Sequence, residues 1–145
     1  MFVLNRVVLG SGTPQNARMA RLRDVVFDCR HAASLARFWA AALDGYVVAP
    51  YDADELQRLR GLGITDPEDD PSVLVEPTAG GRPRLFFNRV PEAKAGKNRV
   101  HIDLDTDDLA AEIERLCGLG ATVLAEHAGQ VVLADPEGNE FCLMS

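Results

Sequence analysis

The sequence predicts an α+β domain of two tandem β-α-β-β-β modules that form a half-open barrel around a ligand cleft. Three observations carry this. The apolar residues alternate between the two-residue repeat of strands and the three-to-four-residue repeat of helices. The pattern runs through one half, stops in a polar connector over 91–98, and restarts in the same order. The halves also align, Asp28 with Asp103 and, after a one-residue gap, Leu35 with Leu109. A duplicated unit sets the architecture. One helix covers only one face of each sheet, so the other is left for a ligand or a partner.

Module one spans 22–90. Val25-Val26-Phe27-Asp28-Cys29 is short and β-rich, a strand. Residues 34–43 place Leu35, Phe38, Trp39, Ala42 and Leu43 on one helical stripe, which Asp44-Gly45 ends. Phe38 and Trp39 are adjacent and edge the helix–sheet core. A strand over 46–49 follows, then a short helix over 54–62 with Leu56, Leu59 and Leu62 on one face. Residues 65–72 form a loop rich in Pro and Asp. Strands over 73–75 and 85–87 flank Ala79-Gly80-Gly81 as a hairpin.

Module two spans 99–145. Residues 100–105 alternate with period two, as a strand with unlike faces does. Asp107 or Asp108 caps the next helix, which presents Leu109, Ile113 and Leu116 inward, runs to about Cys117 and closes on Gly118 and Gly120. Strands over 122–124, 130–133 and 140–143 complete the half. Between the last two, Asp135-Pro136-Glu137-Gly138 is turn chemistry that delivers Glu140 to the start of the final strand.

Ahead of these modules, residues 1–20 read as an appended arm, flexible or an edge strand. The apolar run from Phe2 to Leu9 lacks the small-residue cleavage pattern of a signal peptide.

A chain of 145 residues, 47% apolar and 26% charged, has the size and composition to bury one core. A net charge of −7 argues against nucleic acid or an anionic membrane as partner, because both reward a basic face. No apolar stretch reaches the roughly 20 residues that span a bilayer. Cys29, Cys117 and Cys142 are scattered and odd in number, which suggests reduced thiols in a cytoplasmic protein, serving as small core residues. Both lysines, Lys94 and Lys97, sit in the connector with Asn98 and Arg99, either as an anion clamp at the cleft mouth or as a hydrogen-bonded linker. The excess of Arg over Lys, with abundant Ala, suggests a GC-rich bacterial genome.

Three stretches carry a resemblance to a known family: Asp28-Cys29 running into Leu35-Ala36-Arg37-Phe38-Trp39; Phe87 to Lys94 with Lys97 to Leu104; and Ala134-Asp135-Pro136-Glu137-Gly138-Asn139-Glu140-Phe141-Cys142-Leu143. Over 23–145 the chain resembles the vicinal oxygen chelate superfamily, which includes glyoxalase I, extradiol dioxygenases, fosfomycin-resistance proteins and bleomycin-binding proteins. The glyoxalase-like branch is the most similar.

The resemblance implies a glyoxalase-like enzyme (a lyase, an isomerase or a dioxygenase relative) or a metal-free protein that sequesters a small molecule. In metal-bearing members, ligands come from the first strand of each half and a Glu from the last strand of one or both. The metal then binds adjacent substrate oxygens. That implies His101 and Glu140 as metal ligands here, with one divalent ion of zinc, nickel, iron or manganese, or none. Module one departs from the pattern. Val26 aligns with His101, and the counterpart of Glu140 falls among Arg84, Leu85 and Phe86. Two protein ligands hold such an ion poorly, so a third would come from Asp28, His31, His127 or another chain. Alternatively, His101 and Glu140 form a hydrogen-bonded pair that recognises a polar group of the ligand.

The expected catalytic groups are Glu140, Asp103 and Asp28. Asp103 shares the His101 face and serves as a base if buried, or as a structural acceptor. His101, Phe86, Phe87 and Arg99 are expected to bind ligand, with one of the two phenylalanines facing the cleft by alternation. A small-molecule ligand and a homodimer are the expected partners, the dimer because relatives pair halves across chains and open sheets leave edges to cover.

Overall fold

Alternating apolar residues give each half a four-stranded sheet with one face against a helix. The computed structural model describes residues 19–145, so all but the last two residues of the expected arm lie outside the described residues. Module one contains β1 (Asp24–Cys29), α1 (Ala32–Ala42), β2 (Tyr46–Val48), α2 (Ala53–Gly61), β3 (Ser72–Pro77) and β4 (Arg84–Arg89). Module two contains β5 (Asp103–Asp105), α3 (Leu109–Leu119), β6 (Thr122–His127), β7 (Gln130–Ala134) and β8 (Glu140–Met144). The sheets run β1-β4-β3-β2 and β5-β8-β7-β6. In each, the first strand pairs parallel with the last, and the other pairings are antiparallel. The duplication read from sequence is therefore a repeated topology, and no closed barrel forms. Among the described residues, no helix is long and apolar enough to cross a membrane.

Alternation decides which residues meet the helices. Val73, Val75, Leu85 and Phe87 of module one, and Val131, Leu133, Phe141 and Leu143 of module two, join Leu35, Ala36, Phe38 and Trp39 of α1 in one core. Trp39 sits at the junction, its ring 5.1 Å from that of Phe141 and 5.3 Å from that of Phe27. Burying one such side chain stabilises the fold by about 1.5–3 kcal/mol relative to leaving it exposed.

The helices end in different ways. Asp52 caps α2 by accepting from Glu55 N, and Asp108 caps α3 by accepting from Ala111 N. Gly120 closes α3 at φ 117°, a left-handed conformation that favours glycine. Helix α1 has no side-chain cap of its own at His31. Instead Glu137 accepts from the Arg30 and His31 backbone N–H groups at 2.6 and 3.1 Å, placing a carboxylate at the positive end of the helix. At the other end, Arg115 of α3 donates to the carbonyls of Ala41 and Ala42 at 2.8 and 2.9 Å. Module two thus completes both ends of the module-one helix.

Several expectations are corrected. The strand expected over 100–105 is a ladder only over Asp103–Asp105, which pair with Cys142, Leu143 and Met144 of β8. The Asn98 N–H goes instead to the Glu140 side chain. Leu62 is 58% exposed, because it lies past the last turn of α2. Pro67–Asp69 forms a short 3-10 turn inside the expected loop. Cys29 and Cys142 are buried, but Cys117 is exposed and is no core residue.

Candidate functional site

The outer strands β1 and β5 of the two sheets are not hydrogen-bonded to each other. A hollow of about 220 Å³ lies between β1 and the approach to β5, with Val26, Asp28, Trp39, Asn139, His101 and Glu140 among its walls. Register brings the last two together. Asp103 pairs with Cys142, and Cys142 N donates to Ile102 O at 3.1 Å, so two residues back along each strand His101 comes alongside Glu140. Residues paired in a parallel ladder share a face. His101, Asp103, Glu140 and Cys142 therefore lie away from the helix-facing Phe141 and Leu143.

Their partners differ. His101 Nε2 is 3.1 Å from Asp103 Oδ1. Glu140 Oε2 accepts from Asn98 N at 3.0 Å, and Lys94 Nζ lies 3.3 Å from the same carboxylate. The Asn98 N–H, the residue's own N–H and the Lys94 ammonium hold the Glu140 carboxyl below the usual glutamate range. Lys94 also donates to Gly96 O. Lys94 and the Asn98 N–H of the connector thus secure an anion of the protein's own.

These partners bear on a metal held by His101 and Glu140. The pair fits one poorly. Glu140 is already claimed by a backbone N–H and an ammonium, and an incoming cation would meet Lys94. The groups that do converge are His101, Asp103 and Cys142, whose ligand atoms all lie within 4.8 Å of one another. Gln130 Nε2 donates to Cys142 Sγ at 3.2 Å. Cys142 and Gln130 were not singled out from sequence, although alternation along the last strand already places Cys142 on the Glu140 face.

Other expected residues are dispersed. Asp28 is exposed and stands on the hollow wall contributed by β1. Asp103 is exposed, so the desolvation expected to make it a base is absent, while its side chain still braces His101. Phe87 is fully buried, stacked on Phe27 at 4.9 Å, and belongs to the core because its alternation phase points it at α1. Phe86 takes the opposite face, with the Arg84 guanidinium 5.3 Å from its ring centre. It walls a separate hollow of about 430 Å³ with Tyr51, Arg58 and Asp70. There the buried Asp70 accepts from Tyr51 Oη, Arg58 and Ser72 N at 2.9–3.1 Å. Burial, then the Asp70 charge, pushes the Tyr51 hydroxyl pKa up. Sequence reading treated Asp70 only as loop. Arg99 is exposed and is not among the residues that wall the His101 hollow.

The family profile described as "Glyoxalase-like domain" matches residues 24–144. No curated protein matches the chain. Among solved structures, a glyoxalase/bleomycin resistance protein/dioxygenase family enzyme from Burkholderia phytofirmans PsJN is similar at 19% identity and a TM-score of 0.57, over 86% of this chain and 97% of that one. The fosfomycin resistance protein FosX from Mesorhizobium loti is similar at 17% identity and a TM-score of 0.60, over 88% and 92%. A mutant FosX from Listeria monocytogenes, complexed with Mn(II) and 1S,2S-dihydroxypropylphosphonic acid, is similar at 9% identity and a TM-score of 0.57, over 88% and 90%. At these identities the likeness is one of fold.

Proposed function

Because the chain belongs to the glyoxalase-like domain family, we propose that it is a small-molecule enzyme of the lyase, isomerase or dioxygenase-related kind, working in the hollow that His101 and Glu140 share. The observation that carries this reading is the pairing in that hollow of an imidazole braced by Asp103 with an anchored, anionic Glu140. His101 accepts and returns a proton, the commonest side-chain role in such chemistry. Asp103 is a positioning residue that fixes its ring. Glu140 receives a polar hydrogen of the substrate, and Asp28 offers a second carboxylate from the opposite wall. At about 220 Å³ the hollow holds a small polar group or the reacting end of a substrate.

A divalent cofactor (zinc, nickel, iron or manganese) in this region is supported by the Mn(II) of the Listeria relative. Such an ion, when bound, would polarise adjacent substrate oxygens. A second reading, a metal-free protein that binds and sequesters its ligand, is favoured by Val26 in module one standing where module two has His101. Two copies pair to cover apolar side chains away from the hollow, such as the exposed Val47 and Leu124. With its three cysteines free, the protein works in the reducing cytoplasm.

The test is to incubate the protein with small dicarbonyl, epoxide and catechol compounds and follow each by mass spectrometry. Conversion that falls about a hundredfold in His101→Gln supports the enzyme. Compounds bound tightly and returned unchanged support sequestration.

A further inference from the structure

We propose that His101, Asp103 and Cys142 form a three-donor site for a first-row divalent ion of zinc type, one that shares His101 with the hollow but leaves Glu140 out. The proposal rests on the reading above and names the donors; with an ion bound, His101 would serve as a donor in place of its proton-carrying role. Imidazole, carboxylate and sulfur within 4.8 Å of one another are the side-chain donors such ions take. Tetrahedral coordination needs donors about 3.5 Å apart, given metal–ligand bonds of about 2.0–2.3 Å. His101 Nε2 and Asp103 Oδ1 already stand 3.1 Å apart. Both side chains are substantially exposed and are free to close the remaining distance, while Cys142 is buried and provides the fixed corner.

The surroundings of the sulfur agree with this. Gln130 on β7 donates to Cys142 Sγ, an outer hydrogen bond of the kind that fixes the orientation of a ligating group. The donors come from two paired strands and the residues just before them, so the register Asp103↔Cys142 that builds the sheet also builds the site. Glu140 belongs to a different arrangement, closed by Lys94 and Asn98. Three protein groups would leave a fourth position for water or substrate, which is what a catalytic ion needs. Binding releases the Cys142 thiol proton to solvent.

The full chain, stripped of metal and carrying Cys117→Ser to remove the exposed thiol, is titrated with Co(II). The expected result is one equivalent bound, with a thiolate-to-cobalt charge-transfer band in the near ultraviolet. Cys142→Ser abolishes the band, Asp103→Asn weakens binding by about tenfold or more, and Glu140→Gln changes neither. Asp103 is exposed, so its variant reports even if Cys142→Ser does not fold. Binding without the band, a band that survives Cys142→Ser, or no binding overturns the assignment. Cobalt lost in Glu140→Gln but kept in Cys142→Ser also overturns it, while leaving the catalytic reading of the hollow intact. A cobalt band in a protein that converts none of the screened compounds does the reverse.

Discussion

Trp39 on α1 donates its indole N–H to Asp135, Nε1 to Oδ2 at 3.1 Å, with both residues buried. This hydrogen bond joins the helix of one module to the turn of the other. Asp135 also accepts from Asn139 and from the backbone N–H groups of Glu137 and Asn139, so the buried carboxylate is fully engaged. The turn that presents Glu140 to the hollow is thereby locked to the core.

Replacing Trp39 with Phe removes that donor and part of the ring while keeping the helix. Stability should fall by about 2 kcal/mol, the range for a hydrogen bond to a charged group. Urea denaturation with an unchanged slope checks it. A loss below a few tenths of a kcal/mol would mean that the bond carries little.

Glu137→Ala leaves the N-terminus of α1 without its carboxylate and should cost about 1 kcal/mol. Part of that loss should disappear in high salt, because the helix-end charge effect is screened. Thermal melts of wild type and variant at two ionic strengths measure both quantities.

Acid should weaken the contact between Asp24 and Arg84. The Arg84 guanidinium, at 2.8 and 3.1 Å, holds the Asp24 carboxyl below the ordinary aspartate range. A carboxylate whose pKa is lower folded than unfolded stabilises the fold fully above its unfolded pKa. That contribution fades as pH falls through the lower folded value. Asp24→Asn should therefore lower the melting temperature near neutral pH, and the difference from wild type should shrink steadily below about pH 4. A difference independent of pH would show that the charge is irrelevant.

Thiol chemistry should separate the cysteines. Cys117 is exposed and should react promptly with a disulfide reagent near pH 8. Cys29 is buried, donates to Asn88 O, and has its pKa pushed up to about 12 by burial and then by the Glu137 and Asp135 charges. It should react only on unfolding, because the thiolate is the reacting species. Peptide mapping after brief labelling distinguishes them, and early label on Cys29 would contradict the buried placement.

Much of the fold was legible because alternation and helical spacing are local properties. Leu35, Trp39 and Leu116 turned inward as their spacing required, and the repeated order of elements was visible once Asp28 was laid on Asp103. The site was less legible because its geometry depends on register. That Glu140 meets Lys94 and Asn98, whereas His101 meets Asp103 and Cys142, follows from where β8 starts against β5, which neither segment reveals alone. The contacts that Glu137 and Arg115 make with the ends of α1 were equally hidden, since each spans more than seventy positions in sequence.

The completion of α1 by Glu137 and Arg115 means that the first repeat has lost its autonomy. A polypeptide ending at the connector would carry a helix with bare amides at one tip, bare carbonyls at the other, and an indole with no acceptor. The two repeats descend in pattern from one unit, yet they should melt as a single cooperative body. Severed halves should regain structure only when mixed.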